Sequence, residues 1–271
     1  PMSRPKVVLI AGAAHGGTTI TNMMLGQHPD IFATGKLRNF PHGEVFTEAN
    51  VCSCGAPAAD CPFWLELRRQ YRPVQDRPEQ EKLPRLYDLI TQLSGRPFVG
   101  DVTHNVGYAQ LLQSIGGINL YLVHVVRDGR AVVYSRIRKD LRTGVLGTSG
   151  WQRMRRVARV SRRWVWQIKQ YARLEKQLGA KAVRVSYEDI CSNPRAALRP
   201  VGDCLGLDFD AIGERLGGGQ PFELVPHMIR GNQKLRAKNN VVLRHDTAYL
   251  SEMPRLDRAT FQVASRMPVF S

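Results

Sequence analysis

Lys6-Val7-Val8-Leu9-Ile10-Ala11-Gly12-Ala13-Ala14-His15-Gly16-Gly17-Thr18-Thr19 is the stretch whose reading decides the fold. Val7 to Ile10 is a continuous apolar run, the pattern of a strand covered on both faces in a parallel sheet. Gly12, Gly16 and Gly17 then let the backbone turn sharply and bring its N–H groups close to a ligand, and Thr18 and Thr19 open a helix whose N-terminal end favours anions. Against the phosphate-loop pattern Gly-x-x-x-x-Gly-Lys-Ser/Thr, the chain supplies Gly12, Gly17 and Thr19 but has Thr18 where the lysine belongs. A nucleotide triphosphatase uses that lysine on the outer phosphates, so its loss favours a nucleotide without a γ-phosphate.

Downstream, strand-like and helix-like segments alternate in units of roughly 30 residues, the signature of βαβ crossovers. The helix opened by Thr18 reads as reaching His28. Strands follow at Ile31 to Thr34, Phe98 to Asp101, Leu120 to Val126 and Ala182 to Val185. Helices are expected at Phe63 to Tyr71, Glu79 to Leu93, Asn105 to Ile115, Arg130 to Lys139, Trp151 to Leu178 and Arg255 to Ser265. The expectation is a three-layer α/β fold with a central, mainly parallel β-sheet and a phosphate-loop-like first strand-turn-helix, residues 1–271 forming one domain. Long irregular stretches at 36–62 and 217–250 read as loops that cover the site.

With 39 Lys+Arg against 23 Asp+Glu, the 271-residue chain has a formal charge of +16. That balance points to something anionic: nucleic acid, a polyphosphorylated cofactor, an acidic acceptor or a membrane surface. The helix bearing Arg155, Arg159 and Arg162 at helical spacing is either a solvated face or a surface for an anionic acceptor, a lipid head group or a partner subunit. No 18-residue apolar stretch occurs, so no transmembrane segment is expected and the cytoplasm is the default location. Cys52-Ser-Cys54-Gly-Ala-Pro-Ala-Ala-Asp-Cys61 leaves open three metal ligands, a disulfide with a spare thiol, or buried free thiols. No fourth ligand is evident beside it.

In open parallel sheets, ligands sit beyond the carboxyl ends of the strands. Three segments fall there: the opening loop, Asp101-Val102-Thr103-His104, and Arg127-Asp128-Gly129 continuing to Ser135. Together they resemble the sulfotransferases that use 3'-phosphoadenosine 5'-phosphosulfate (PAPS). Ala14-His15-Gly16-Gly17-Thr18-Thr19 matches that family's first motif, Pro-Lys/Arg-Ser-Gly-Thr-Thr. Arg127-Asp128-Gly129 with Ser135 matches its second, an arginine at a strand end with a serine eight residues on. Tyr187-Glu188-Asp189 resembles its Tyr-Glu-Asp segment near the adenine, and His227-Met-Ile-Arg-Gly231-Asn232 with Arg236 resembles its tail piece.

The resemblance implies sulfuryl transfer from PAPS to a hydroxyl or amine, with release of adenosine 3',5'-bisphosphate. His15, Gly16, Gly17, Thr18 and Thr19 would hold the 5'-phosphosulfate, Arg127 and Ser135 the 3'-phosphate, and Tyr187, Asn232 and Arg236 the rest of the nucleotide. No metal is expected to take part, since sulfuryl transfer needs only charge stabilisation at the bridging oxygen and a base for the acceptor. His15 stands where the family has its loop lysine or arginine; a histidinium could neutralise the leaving phosphate, and otherwise Lys36 or another lysine supplies the charge. The base is His104, by likeness to the Lys-Thr-His of cytosolic members, or Glu44, by likeness to the Gly-Glu segment of tyrosylprotein and many bacterial members. Two other readings compete: a phosphate-loop nucleotide kinase, and a basic nucleic-acid-binding protein. The acceptor class stays open among small metabolite, anionic, lipid, carbohydrate and peptide forms, as does assembly with a second copy of the chain.

Overall fold

The computed structural model describes residues 4–41, 43, 46–47, 50–147, 149–231 and 241–267. Five strands, β1 (Lys6–Gly12), β2 (Ile31–Gly35), β3 (Phe98–Thr103), β4 (Asn119–Val126) and β5 (Ala182–Ser186), form one sheet of order β2-β3-β1-β4-β5. Every pairing is parallel. β1 sits between β3 and β4, so Ala11 pairs with Thr103 on one side and His124 on the other. The chain leaves β1 toward one edge and later returns on its other side toward the opposite edge, which opens a crevice at the carboxyl end of β1.

Among the described residues the α-helices are α1 (Thr18–Leu25), α2 (Pro62–Tyr71), α3 (Glu79–Ser94), α4 (Val106–Ser114), α5 (Gly129–Arg142), α6 (Gly150–Leu178), α7 (Tyr187–Ser192), α8 (Pro194–Leu205), α9 (Asp210–Gly217), α10 (Ala248–Glu252) and α11 (Arg255–Arg266). Side chains alternate across a strand, so β1 feeds two cores. Val7, Leu9 and Ala11 join Trp64, Leu86, Ile90, Leu112 and Tyr171 on one face. Val8 and Ile10 join Met23, Met24, Leu198 and Val201 on the other. This two-sided cover is why the β1 run lacks polar alternation. A third cluster, with Val133, Ile137, Val157, Tyr249 and Phe261, packs α5 and α6 against the C-terminal helices.

Several boundaries differ from the sequence expectation, α5 for instance running on to Arg142, and two of the differences have a plain local cause. α1 stops at Leu25, where the Gly26 N–H bonds the Asn22 carbonyl, and His28 instead forms a turn in which its Nδ1 accepts from the Asp30 N–H at 3.1 Å. Pro29 disfavours helical geometry in the residue before it. β3 runs on to Thr103 because Val102 and Thr103 pair with Ile10 and Ala11 of its neighbour. Buried His124 pairs through Nδ1 with Glu175 of α6, fastening that helix to the sheet. On α6, Arg153 bonds Asp257 at 2.7 Å and Arg156 bonds Asp140 at 2.7 Å, whereas Arg155, Arg159 and Arg162 are exposed. Among the described residues no helix is long and apolar enough to cross a membrane.

Candidate active site

A cavity of about 1440 Å³ opens over the carboxyl ends of the strands. Its floor is the loop between β1 and α1, with Arg127 and Tyr187 on one side and Lys36 and His104 on another. The loop's glycines are required by packing as well as by any ligand. A Cβ on Gly12 would sit 2.4 Å from the Val125 carbonyl oxygen, and one on Gly16 would sit 2.7 Å from that of Ala13. Gly17 has φ +96°, and a Cβ there would meet the Tyr187 ring at 2.3 Å. Gly17 is also the N-cap of α1, and no side chain caps that helix end. Its first-turn N–H groups therefore face the cavity as anion donors.

Arg127 leaves the end of β4 buried, its guanidinium 4.4 Å over the Tyr187 ring. Nη1 donates to the His15 carbonyl at 3.0 Å, and Nη2 donates to the Asp246 carbonyl at 3.1 Å. Its Nε is buried with no acceptor among the described residues. Such an orphan donor is costly to bury, so it fits an acceptor oxygen from a ligand. The Asp128 N–H that follows donates to Glu188 at 3.0 Å, so the residue after Tyr187 fixes the turn after Arg127. Ser135, two turns into α5, lies 3.0 Å from His15 Nδ1. An uncapped helix end, a buried guanidinium with a spare donor and a serine hydroxyl thus share one wall, a donor set that fits a phosphorylated ligand.

His15 holds an uncommon left-handed backbone, φ +68°. Burial, then the positive charges of Arg136 and Lys139, pull its imidazole down to about 4. Near neutral pH the ring is uncharged, which disfavours the histidinium expected in place of the family's lysine.

Across the cavity, His104 follows β3. Its Nε2 lies 2.9 Å from Thr18 Oγ1 and its Nδ1 lies 3.4 Å from Lys36 Nζ. An ammonium can only donate, so a charged Lys36 makes Nδ1 the acceptor and leaves the ring proton on Nε2. The ring edge reaches the cavity, but surrounding protein strips most of its hydration; that burial, then Lys36, lowers its pKa to about 3. Burial, then Arg230, also lowers the Lys36 pKa. The Gln167 amide donates to the His104 carbonyl at 2.7 Å and fixes its backbone.

Lys36 is held in place indirectly. Asp101, wholly buried, accepts from the Leu37 N–H at 2.9 Å and from the Tyr87 hydroxyl at 2.8 Å. Burial raises its carboxyl to about 6. On the other side the Lys36 N–H donates to the Ile229 carbonyl at 3.3 Å, and the Ile229 N–H donates to Thr34 at 2.7 Å. Asp101 stood in the Asp101–His104 segment without a role of its own, and Gln167 and Asp246 carry no motif; the parts of all three emerge only from the fold. Glu44, Asn232 and Arg236 lie outside the described residues.

The sequence profile of the sulfotransferase family matches residues 5–211. The chain belongs to that family. Its fold is shared with the sulfotransferase domain of a Synechococcus olefin synthase, at TM-score 0.53 and 17% identity, covering 100% of this chain and 92% of that one. The sulfotransferase domain from the curacin biosynthetic pathway gives TM-score 0.54 at 18% identity, covering 99% and 95%. A mouse sulfotransferase solved in complex with PAP gives TM-score 0.56 at 12% identity, covering 97% and 83%. No curated protein sequence matches the chain.

Proposed function

We propose that this sulfotransferase takes PAPS as donor and transfers the sulfuryl group in line to a hydroxyl or amine of its acceptor, releasing adenosine 3',5'-bisphosphate. The observation that carries the reading is the shared wall of the uncapped α1 terminus, Arg127 with its unmatched Nε, and Ser135. PAP bound to a neighbour of the same fold supports it. PAPS supplies the activated sulfuryl group, and the protein supplies position, charge and a proton acceptor. Loop residues His15 to Thr19 would hold the 5'-phosphosulfate through backbone N–H groups and the two threonines. Arg127 would hold the 3'-phosphate through Nε, with Ser135 turning its hydroxyl from His15 toward the same group, and Tyr187 would wall the nucleoside.

Lys36 takes the cationic role that a neutral His15 leaves open. As Lys36 moves from His104 Nδ1 toward the reacting sulfate, that nitrogen is freed to accept the acceptor's proton while Thr18 keeps hold of Nε2. His104 is accordingly the base we favour over Glu44. The chain from 1 to 271 would act as one domain, with 36–62 and 217–250 shaping the acceptor side.

Calorimetric titration tests the donor. Adenosine 3',5'-bisphosphate is expected to bind and raise the melting temperature, while ATP at the same concentration binds much more weakly. Equal or stronger binding of ATP would overturn the assignment.

A further inference from the structure

Away from the cavity, the loop between β2 and α2 meets the segment that precedes Ile229. The Sγ atoms of Cys52, Cys54 and Cys61 and a ring nitrogen of His227 lie within 4.8 Å of one another there. Cys54 Sγ is 3.7 Å from Cys61 Sγ, and Cys61 Sγ is 3.3 Å from His227 Nδ1. In a tetrahedron with Zn–S of about 2.3 Å and Zn–N of about 2.0 Å, neighbouring donors stand roughly 3.5 to 3.8 Å apart. A disulfide needs about 2.05 Å between sulfurs, and these cysteines are all free.

The surroundings hold the four donors in this arrangement. Gly55, at φ +95°, turns the chain after Cys54, and its N–H returns to the Cys52 carbonyl at 3.0 Å. His227 keeps a left-handed φ of +57°, its carbonyl tied by the Trp64 indole N–H at 2.9 Å and its ring stacked on Phe63. A histidine in that conformation costs energy unless its neighbours impose it.

We infer that Cys52, Cys54, Cys61 and His227 bind one zinc ion, and that this ion clamps the acceptor-side wall of the cavity. Four protein donors complete a tetrahedron with no open position, so the ion is structural. It joins residues 166 apart in sequence, Cys61 and His227. Beside it, the Ser53 N–H donates to the Met228 carbonyl at 3.0 Å, and the next residue, Ile229, pairs with Thr34 and Lys36. The clamp therefore sets the backbone that carries Lys36. This inference rests on the ligand cluster alone and stands whether or not PAPS is the donor.

Elemental analysis of the full chain, purified reduced and without chelator, tests it. About one zinc per chain is expected, with loss of metal in Cys54→Ser, an exposed position whose change leaves the core intact, and retention in His227→Cys. Cobalt added to protein stripped of zinc should give the visible bands of a tetrahedral thiolate site, and those bands should vanish in Cys54→Ser. Restoring zinc should raise the melting temperature of the stripped protein without any nucleotide present. Metal content that is substoichiometric and unchanged by Cys54→Ser overturns the site, as does a mass showing a disulfide among these cysteines in freshly isolated protein.

Discussion

The two sides of the cavity are built in different ways. On the proposed nucleotide side, the loop after β1, Arg127 after β4 and Tyr187 after β5 sit at the ends of three neighbouring strands, locked by backbone contact and by an arginine stacked on a tyrosine. On the proposed acceptor side, Lys36 follows the single strand β2, and its place depends on long-range polar ties: Asp101 to Leu37, Ile229 to Thr34 and Lys36, and the Cys–His cluster behind them. The first side is positioned by the regular sheet, so it is stiff wherever the fold is intact. The second can be reshaped by changing loops without disturbing the sheet, which suits the part of a transferase that must fit its particular acceptor.

The largest expected effect lies on the nucleotide side. Arg127→Ala removes the buried guanidinium and should weaken binding of adenosine 3',5'-bisphosphate by more than about 10²-fold in calorimetry, since the charge-assisted bond through Nε contributes about 1.5–3 kcal/mol and loss of the Nη1 bond to the His15 carbonyl also loosens the loop. An effect confined to stability, with affinity intact, would show that the two sides are not divided as described. Next in size, His104→Ala should lower turnover by about 10²-fold while leaving bisphosphate affinity unchanged, as expected for a proton acceptor that does not hold the nucleotide. Near-normal turnover would shift the base to Glu44. Asp101→Ala strands the Leu37 N–H and loosens Lys36 from behind. It should cost about 2 kcal/mol in denaturant unfolding and raise the acceptor KM more than the donor KM. Equal changes in both constants would erase the distinction between the sides.

The smallest effect is in the pH profile. His15 and His104, pulled to about 4 and about 3, stay neutral above mildly acid pH, so turnover should vary less than about twofold from pH 6.5 to 8. The downward shift of Lys36 brings its loss of charge, and a fall in rate, at lower alkaline pH than for an ordinary lysine. Stability has a sign of its own. Unfolded histidines take up protons below 6.5 that the folded ones refuse, so stability should fall as pH drops from 6.5 toward about 4. Asp101, raised from 3.8 to about 6, works the other way over part of that range, but it is one group against two. Melting curves across this window check the sign, and His104→Ala should flatten them.

The loop after β1 and the Arg127 to Ser135 segment were legible as strand ends leading into helices before any coordinates because their signals are local. A continuous apolar run means a strand covered on both faces, glycines followed by threonines mean a tight turn into a helix, and an arginine with a serine eight residues on marks another strand end and its helix. Across the cavity His104 had its likeness to a Lys-Thr-His segment, but the ties that hold Lys36 carry no such local signal. Cys52, Cys54 and Cys61 left a metal set, a disulfide and free thiols all open, because His227 lies 166 residues beyond Cys61 and is one of seven histidines. His15 shows the same limit, since its residue type allows a charge that only its buried, cation-rich surroundings withhold.

The sequence by itself determined the strand-turn-helix at residues 6–25, the alternation that yields a parallel sheet, and the family's order of motifs. These follow from backbone geometry and side-chain period, which act over a few residues. The tertiary structure alone decided which side chains meet across the cavity, which histidines stay uncharged, and that four distant thiol and imidazole groups close on one point. Those outcomes depend on burial and on contacts between segments that only the finished fold brings within a few ångströms.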